Sequence, residues 1–600
     1  MLSYNNHDIG ELSLSVPIFR DKLRLFLGEN GLRMEEFDSY YVVESSGGEI
    51  LAGAGIKGDV IKCVAVKESM REEGLLLPLL SHLVSSAASK GLTNLKVFTK
   101  PENRKVFESL GFHLLTSAPK AILMENGRGL ERYCQYLRSF RREGRCGVVI
   151  MNANPFTLGH RYLLEQAAGL VDTLYVIPVL EDTPGGFPYA ERLAMIRRGV
   201  ETPGQAGGDE TVIAGSDEVV IAGSDRQSPV IVLEGSSYQI SAATFPTYFL
   251  KDLSEAAETQ MRLDIDLFEK HIAPALDASV RFVGSEPTDA LTARYNQLMQ
   301  ERLNVVEIPR LRCPVAAGHD AVIPGLTGNP ISASEIRRFI SEGSFAKASA
   351  LVPESTRPYI MAALAERALR IELDTPHKPG LVCPDSSGAH SDMDYSTMLR
   401  GIAAIRPFFP QMAKAASADE LRILGIEAEK AMLEATGGVN THRGAIFCLG
   451  LALAALGREM ELADNERDIQ NRLGEIAQAI FDKQLKHSDL HFTPTSLAGA
   501  RMMAAEGYRP LFEHWLPFFR QSGPQKTLLK IMSTLDDTCI VKRVGEQRAE
   551  EVKKEAGELL HSFNEERLED MCRRYAAEGI SPGGAADMLA LTIFIDSIQK

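Results

Sequence analysis

The sequence has no C-x-x-C pair among its eight cysteines and no excess of positive charge, and each absence excludes a class of protein. Scattered thiols rule out the spacing of a structural zinc site or a disulfide framework, and suit a reducing compartment. A formal net charge of −15 argues against non-specific nucleic-acid binding, which needs surplus lysine and arginine to neutralise phosphates. Long apolar runs are missing as well. The longest, Ala445 to Leu456, falls well short of the ~20 residues that cross a bilayer. The opening MLSYNNHDIGELSL lacks a basic segment leading into an apolar one. No secretory signal and no membrane partner are therefore expected, and the expected location is cytoplasmic. What is present is ordinary globular composition spread over 600 residues, too many for one core, so several domains follow.

The most informative stretch runs from Gly147 to Ala168. Val148, Val149, Ile150 and Met151 read as a buried strand, Asn152 to Leu158 as a tight loop, and the run from Gly159 as a helix. A strand feeding a helix N-terminus makes an anion site, because the first helical N–H groups are unpaired and the dipole is positive there. His160 stands where an imidazole reaches a phosphoryl oxygen. Far downstream, Ile331-Ser332-Ala333-Ser334-Glu335-Ile336-Arg337 offers a serine-capped helix that presents hydroxyl, N–H and guanidinium donors. Either motif alone reads equally as a capping turn; together, in this order, they point to nucleotide binding. Strand-like segments at 147–151, 174–179, 230–234, 280–284 and 305–309 alternate with helical ones. That implies a parallel sheet with its ligand crevice at the strand C-termini. Segment 212–217 recurs unchanged at 220–225, which reads as a duplicated surface insertion.

Thr157-Leu158-Gly159-His160 after Asn154-Pro155-Phe156 resembles the (His/Thr)-X-Gly-His signature of the nucleotidyltransferase superfamily, and Ile331 to Arg337 resembles its closing Ile-Ser-X-(Ser/Thr)-X-X-Arg motif. The resemblance implies an α/β, Rossmann-like domain over 147–358. In it Thr157 and His160 act in catalysis, and Asn154, Phe156, Gly159, Ser332, Ser334 and Arg337 bind ATP. Residues 1–125, with Arg71-Glu72-Glu73-Gly74-Leu75-Leu76 and Asn103 leading to Leu110-Gly111-Phe112, resemble the α+β GNAT acetyltransferase fold. Leu76 replaces the last small residue of that family's pyrophosphate loop. A module that docks the CoA-like arm of a carrier protein is therefore expected in place of an independent acetyltransferase. Residues 126–146, with Arg132, Arg138, Arg141, Arg142 and Arg145, read as a basic helical connector with a solvated face. Phe187-Pro188-Tyr189 with Arg192, Ser237 to Leu250, Phe282 to Pro287, Arg294-Tyr295-Asn296 and Val306 to Arg310 narrow the resemblance to citrate (pro-3S)-lyase ligase, with 201–229 and 311–327 as additions. That family converts ATP and acetate to acetyl-AMP and pyrophosphate, and passes the acetyl group to the thiol of the lyase's acyl-carrier prosthetic group.

Beyond residue 358 the alternation ends and Ala-rich stretches of helical period take over, so 359–600 is expected to be an all-α domain. Its polar motifs fall at helix ends: Thr375 to Val382, Gly388 to Asp394, Gly437 to Ala445, Gly499-Ala500-Arg501, Leu535 to Thr538 and Ser581 to Asp587. Together they resemble triphosphoribosyl-dephospho-CoA synthase, which joins the ribose C1 of ATP to dephospho-CoA and expels adenine. Displacement at C1 passes through an oxocarbenium-like state that suits carboxylates, and a triphosphate calls for Mg²⁺. Asp392, Asp394, Asp537 and Asp587 are the carboxylate candidates, and of these the resemblance implies Asp392, Asp394 and Asp537 as catalytic residues and metal ligands. It implies Lys378, His390, Asn440, His442, Arg443, Arg501, Arg543, Gly583, Gly584 and Asp587 as nucleotide-binding residues. Two departures stand out: Met502-Met503 replaces a Gly-Glu, and Cys539 replaces an Asn. The expected protein is multidomain and bifunctional. It uses ATP, Mg²⁺, acetate and dephospho-CoA, with the citrate lyase acyl-carrier subunit as partner. An adenylyltransferase of cofactor biosynthesis, with a C-terminal scaffold that binds the carrier protein, is the alternative.

Overall fold

The computed structural model describes residues 9–200, 218–220, 229–240, 253–286, 289–313, 328–457, 466–487 and 500–600. They fall into two compact units: Met1–Asn154 with Gly159–Leu311, and Pro155–Leu158 with Arg312–Lys600.

The first unit holds two sheets. One has seven strands in the order β1-β2-β3-β4-β5-β7-β6: β1 (Ile9–Glu11), β2 (Ser39–Glu44), β3 (Ile50–Lys57), β4 (Val60–Val66), β5 (Lys96–Thr99), β6 (His113–Ser117) and β7 (Ile122–Glu125). Its neighbours are antiparallel except β4 and β5, which pair in parallel only at Val60–Lys96 and Ile61–Val97. A cavity of about 530 Å³ lies there, lined by Val64, Ala65 and Val66 on one side and Val97, Phe98 and Thr99 on the other, with Arg71 and Lys100 at its edge.

The other sheet has six strands in the order β10-β11-β9-β8-β12-β13: β8 (Cys146–Met151), β9 (Thr173–Pro178), β10 (Glu218–Val220), β11 (Pro229–Val232), β12 (Ala278–Gly284) and β13 (Val305–Ile308). All pairings are parallel except that of β10, the antiparallel edge. The five expected strands lie within two residues of their expected bounds. They were readable because β8 and β9 are buried almost throughout, as strands covered on both faces must be. The chain order reverses between β8 and β12, and such a switch point opens a crevice beyond the strand C-termini. The β10 strand was not read from the sequence. The duplicated segment lies outside the described residues apart from the backbone at Val220.

The expected connector is a helix, Gly129–Ser139, but solvation describes only one face of it. Arg132, Arg138, Arg141, Arg142 and Arg145 are exposed, whereas Leu130, Cys134 and Leu137 recur at helical spacing and enter the core. That core joins Phe98 and Leu123 of the first sheet to Val148, Tyr175, Ile177 and Ile231 of the second.

In the second unit the described residues form helices and isolated bridges, with no strand. At its centre lies helix Gly583–Gln599, buried on every side from Met588 to Ser597. It packs against Arg357–Asp374, Arg443–Gly457 and Leu516–Met532. A helix apolar all round has no solvent face to offer and belongs in the middle of a bundle.

Candidate active sites

At the head of the parallel sheet, β8 ends at Met151 and helix Leu158–Ala168 begins seven residues later. Asn154 is buried and spends its amide on structure: Nδ2 donates to Thr183 Oγ1 at 2.9 Å and Oδ1 accepts from the Phe187 N–H at 2.8 Å. Arg192, fully buried, does more. It donates to the carbonyls of Phe187, Asn152 and Val179 at 2.8–3.0 Å and to Asn152 Oδ1 at 2.9 Å, so one guanidinium pins both loops at this edge. In the sequence Arg192 stands only as a family marker; its five fixed donors suit this structural role as a lysine would not. His160 is half-buried, and desolvation with the Arg310 charge holds its pKa down to about 4, so it is neutral at pH 7. Arg310 is in turn paired with the nearly buried Glu286.

Phe156 and Thr157 group with the second unit and are buried there, and the Leu158 N–H donates to the Leu351 carbonyl at 3.0 Å. Ser332 caps helix Ala333–Glu342, its Oγ accepting from the Ser334 N–H at 3.3 Å and lying 2.6 Å from Ser334 Oγ. Arg337 and Arg338 differ sharply. Arg338 lies between Glu335 and Glu342 at 2.6 Å each, half-exposed, while Arg337 is partly buried and desolvation lowers its pKa.

The helical unit carries a cavity of about 230 Å³. Lys378, His390, Asn440, His442, Arg443, Arg543, Gly583 and Asp587 of the expected set line it, joined by Glu372, Ser581 and Cys539. Local folding explains the convergence. Gly380 takes φ +71° with its Cα against the Ile580 carbonyl, where a Cβ would stand 1.9 Å away, so loops 375–390 and 580–583 interlock. His390 Nε2 then lies 2.8 Å from Ser581 Oγ, and Arg543 Nη2 lies 3.2 Å from His390 Nδ1. Burial and Arg543 push the His390 pKa down. Lys378, buried, donates to Glu372 Oε1 at 2.5 Å and to the Glu372 carbonyl at 2.7 Å. His442 is the least satisfied group. Its Nδ1 meets Thr441 Oγ1 at 2.8 Å, while its buried Nε2 has no partner, and desolvation holds its pKa to about 3. Asn440 caps the helix beginning at Arg443 by accepting its N–H at 3.1 Å, and the half-exposed Arg443 side chain pairs with Glu429.

The three carboxylates expected to hold a metal are not gathered. Asp394 is exposed and caps helix Tyr395–Ile405, where the Thr397 hydroxyl and N–H lower its pKa to about 2. Asp392 is 63% exposed, 3.8 Å from His390. Asp537 is buried with both oxygens taken: Oδ1 by the Cys539 N–H at 2.8 Å and Oδ2 by the Ala585 N–H at 2.9 Å. Gly584 lies against that carboxylate, where a Cβ would be 3.0 Å from Oδ1. Among the described residues no group of three or more His, Cys, Asp or Glu side chains is placed to hold a metal ion. The side chain of Arg501 lies outside the described residues.

The chain thus carries two candidate sites, a neutral histidine at the head of a parallel sheet and a polar cavity in a helical unit. Residues 146–205 and 209–360 match the citrate lyase ligase C-terminal domain family, and 359–600 match the ATP:dephospho-CoA triphosphoribosyl transferase family. The chain is 36% identical over 352 residues to the citrate lyase ligase of Haemophilus influenzae, covering 56% of this chain and 94% of that one. It is 32% identical over 285 residues to a probable triphosphoribosyl-dephosphocoenzyme-A synthase of Streptococcus mutans, covering 40% of this chain and 96% of that one. To the corresponding synthase 1 of Salmonella typhimurium it is 36% identical over 270 residues, 39% of this chain and 88% of that one. The chain belongs to both families, ligase in its N-terminal part and transferase in its C-terminal part. No described helix is long and apolar enough to cross a membrane.

Proposed function

We propose that the chain prepares the citrate lyase acyl carrier twice, by making the precursor of its prosthetic group and by acetylating that group's thiol. Residues 147–358 serve as the Rossmann-like nucleotidyltransferase domain. Acetate attacks the α-phosphate of ATP, pyrophosphate leaves, and the acetyl group passes from acetyl-AMP to the carrier thiol. A neutral His160 donates a hydrogen bond to a phosphoryl oxygen without needing to be charged, and Thr157, Ser332, Ser334 and Arg337 add donors where negative charge develops. Asn154, Phe156 and Gly159 shape the loop. Residues 1–125 serve as the GNAT-like module, with the cavity between β4 and β5 holding the CoA-like arm of the carrier, and 126–146 join the two. Residues 359–600 join a ribose hydroxyl of dephospho-CoA to the ribose C1 of ATP and release adenine.

For the helical half, one observation carries this reading: a single cavity gathers basic and polar groups from motifs more than two hundred residues apart and leaves the His442 Nε2 unpartnered. A buried nitrogen without a partner is expensive unless a ligand satisfies it. Arg543, Asn440, Arg443, Gly583 and Arg501 are the further nucleotide contacts. The residues present do not fit Mg²⁺ as an ion caged by protein, since Asp394 and Asp537 are committed to helix caps and Asp392 is solvated. Mg²⁺ is assigned to the triphosphate it accompanies. The location is cytoplasmic. Two assays on the full chain test the reading: acetate-dependent exchange of pyrophosphate into ATP, and adenine release from ATP that depends on dephospho-CoA. Exchange that ignores acetate sinks the first half, and no adenine sinks the second.

A further inference from the structure

Four carboxyl groups compete for the proton chemistry of the helical cavity, and their surroundings separate them. Asp537 has both oxygens bound by backbone N–H groups of two helix starts. Glu372 is held by Lys378 at 2.5 Å. Asp392 is in solvent, 63% exposed. Asp587 lines the cavity, has the Ala445 N–H as its hydrogen-bond partner and, unlike Glu372 with its Lys378, has no paired cation among the described residues. Its Oδ2 rests on Gly444, where a Cβ would stand 1.8 Å away, so only a residue without a side chain leaves room for this carboxyl. His442, which lines the same cavity, is a neutral imidazole at pH 7, its pKa held down to about 3, and so is not charged as an acid.

We propose that Asp587 is the catalytic acid of the helical half, giving its carboxyl proton to a ring nitrogen of the departing adenine. The assignment rests on the displacement of adenine proposed above. Adenine leaves a ribose poorly as an anion and well as a neutral base, so a proton delivered to the ring is the help the bond most needs. The C1–N9 bond breaks and its electron pair stays with the protonated purine. The attacking hydroxyl of dephospho-CoA bonds to C1. Its proton, made strongly acidic by attachment to an oxocarbenium-like carbon, passes to water, and a proton from solvent restores Asp587. A carboxyl whose neighbours favour its protonated form is what this step draws on. Glu372 with its partner Lys378, Asp537, His442, Cys448, Tyr508 and Cys539 face or surround Asp587, and loss of solvent with the Asp537 and Glu372 charges raises its pKa well above the ordinary carboxyl range.

The test uses full-length Asp587→Asn, which keeps shape but has no proton to give. Adenine release is expected to fall at least ~100-fold in kcat, with KM for ATP within about threefold. Asp587→Glu should recover part of it. In the wild type kcat should decline as pH rises through the carboxyl's pKa, and the residual activity of Asp587→Asn should lack that limb. An ATP analogue carrying nicotinamide in place of adenine already leaves as a neutral base. On it Asp587→Asn should match the wild type, which also shows that the variant is folded. Adenine release by Asp587→Asn within threefold of wild type, or equal losses on both nucleotides, overturns the assignment and leaves the parent reading standing. Absence of adenine from the wild type overturns both.

Discussion

The head of the parallel sheet and the cavity of the helical unit are assigned the same nucleotide, yet they are built in opposite ways. At the sheet, the loop side chains Asn154 and Arg192 are consumed by structure, and the group left for chemistry is a half-buried neutral histidine at a helix start. In the helical unit the chemistry-bearing groups are a buried ion pair, an unpartnered imidazole nitrogen and a half-buried carboxyl on the cavity wall. The difference follows the bond at stake. Attack on a phosphate asks for donors around charge that is already present, which backbone and neutral side chains supply. Breaking a bond from sugar to base asks for a proton, and protons are held at pH 7 by burying carboxyls.

The largest expected break of this contrast is His160→Ala. Acetate-dependent pyrophosphate exchange should fall on the order of 100- to 1,000-fold while adenine release is untouched. A parallel loss of both would mean that the two centres are not separate. Next, Lys378→Met leaves Glu372 buried without its cation and should destabilise the helical unit by about 3–5 kcal/mol, read by urea unfolding or hydrogen exchange in helix Gly583–Gln599. Adding Glu372→Leu should return most of that loss. The adjacent arginines sharpen the sheet side. Arg337→Ala should lower exchange at least ~10-fold, whereas Arg338→Ala, which loses only half-exposed pairs, should change stability by under about 1 kcal/mol and leave exchange alone. Tyr238→Phe removes a hydroxyl that donates to the buried Glu125 at 2.6 Å and should cost the sheet unit about 1–3 kcal/mol in denaturant titration. The mildest effect is on pH. Folding lowers the pKa of His160 and of His442, to about 4 and about 3, so only the unfolded chain takes up their protons as pH falls below ~6.5. The contribution of these two histidines to stability should be flat above that value and decline beneath it, and exchange activity should show no inflection near pH 6.5. An inflection there that disappears in His160→Ala would overturn the neutral histidine.

The parallel strands were legible because continuous apolar runs bounded by turns leave few alternatives, and the helical half because its period is unbroken. The connector's buried face was hidden by the charge that surrounds it, since arginine counts describe one side of a helix and not the other. Arg192 and the trio Glu125, Tyr238 and Lys96 were not legible as a network. Lys96 reaches Ser237 Oγ at 2.5 Å and Tyr238 reaches Glu125, yet these partners lie more than a hundred residues apart and no local pattern announces them. The carboxylates show the sharper limit. Asp392, Asp394, Asp537 and Asp587 are one chemical type in sequence, and only their neighbours divide them into a solvated group, two helix caps and one carboxyl on the cavity wall.

Gly444 turns this division into a tool. Because there is no room for one more carbon beside Oδ2 of Asp587, Gly444→Ala dislodges a single carboxyl, at a position far along the chain from every residue assigned to acetate activation. A cell carrying that allele would be able to recharge carriers it already owns and unable to equip new ones, which would separate the upkeep of an old pool from the founding of a fresh one.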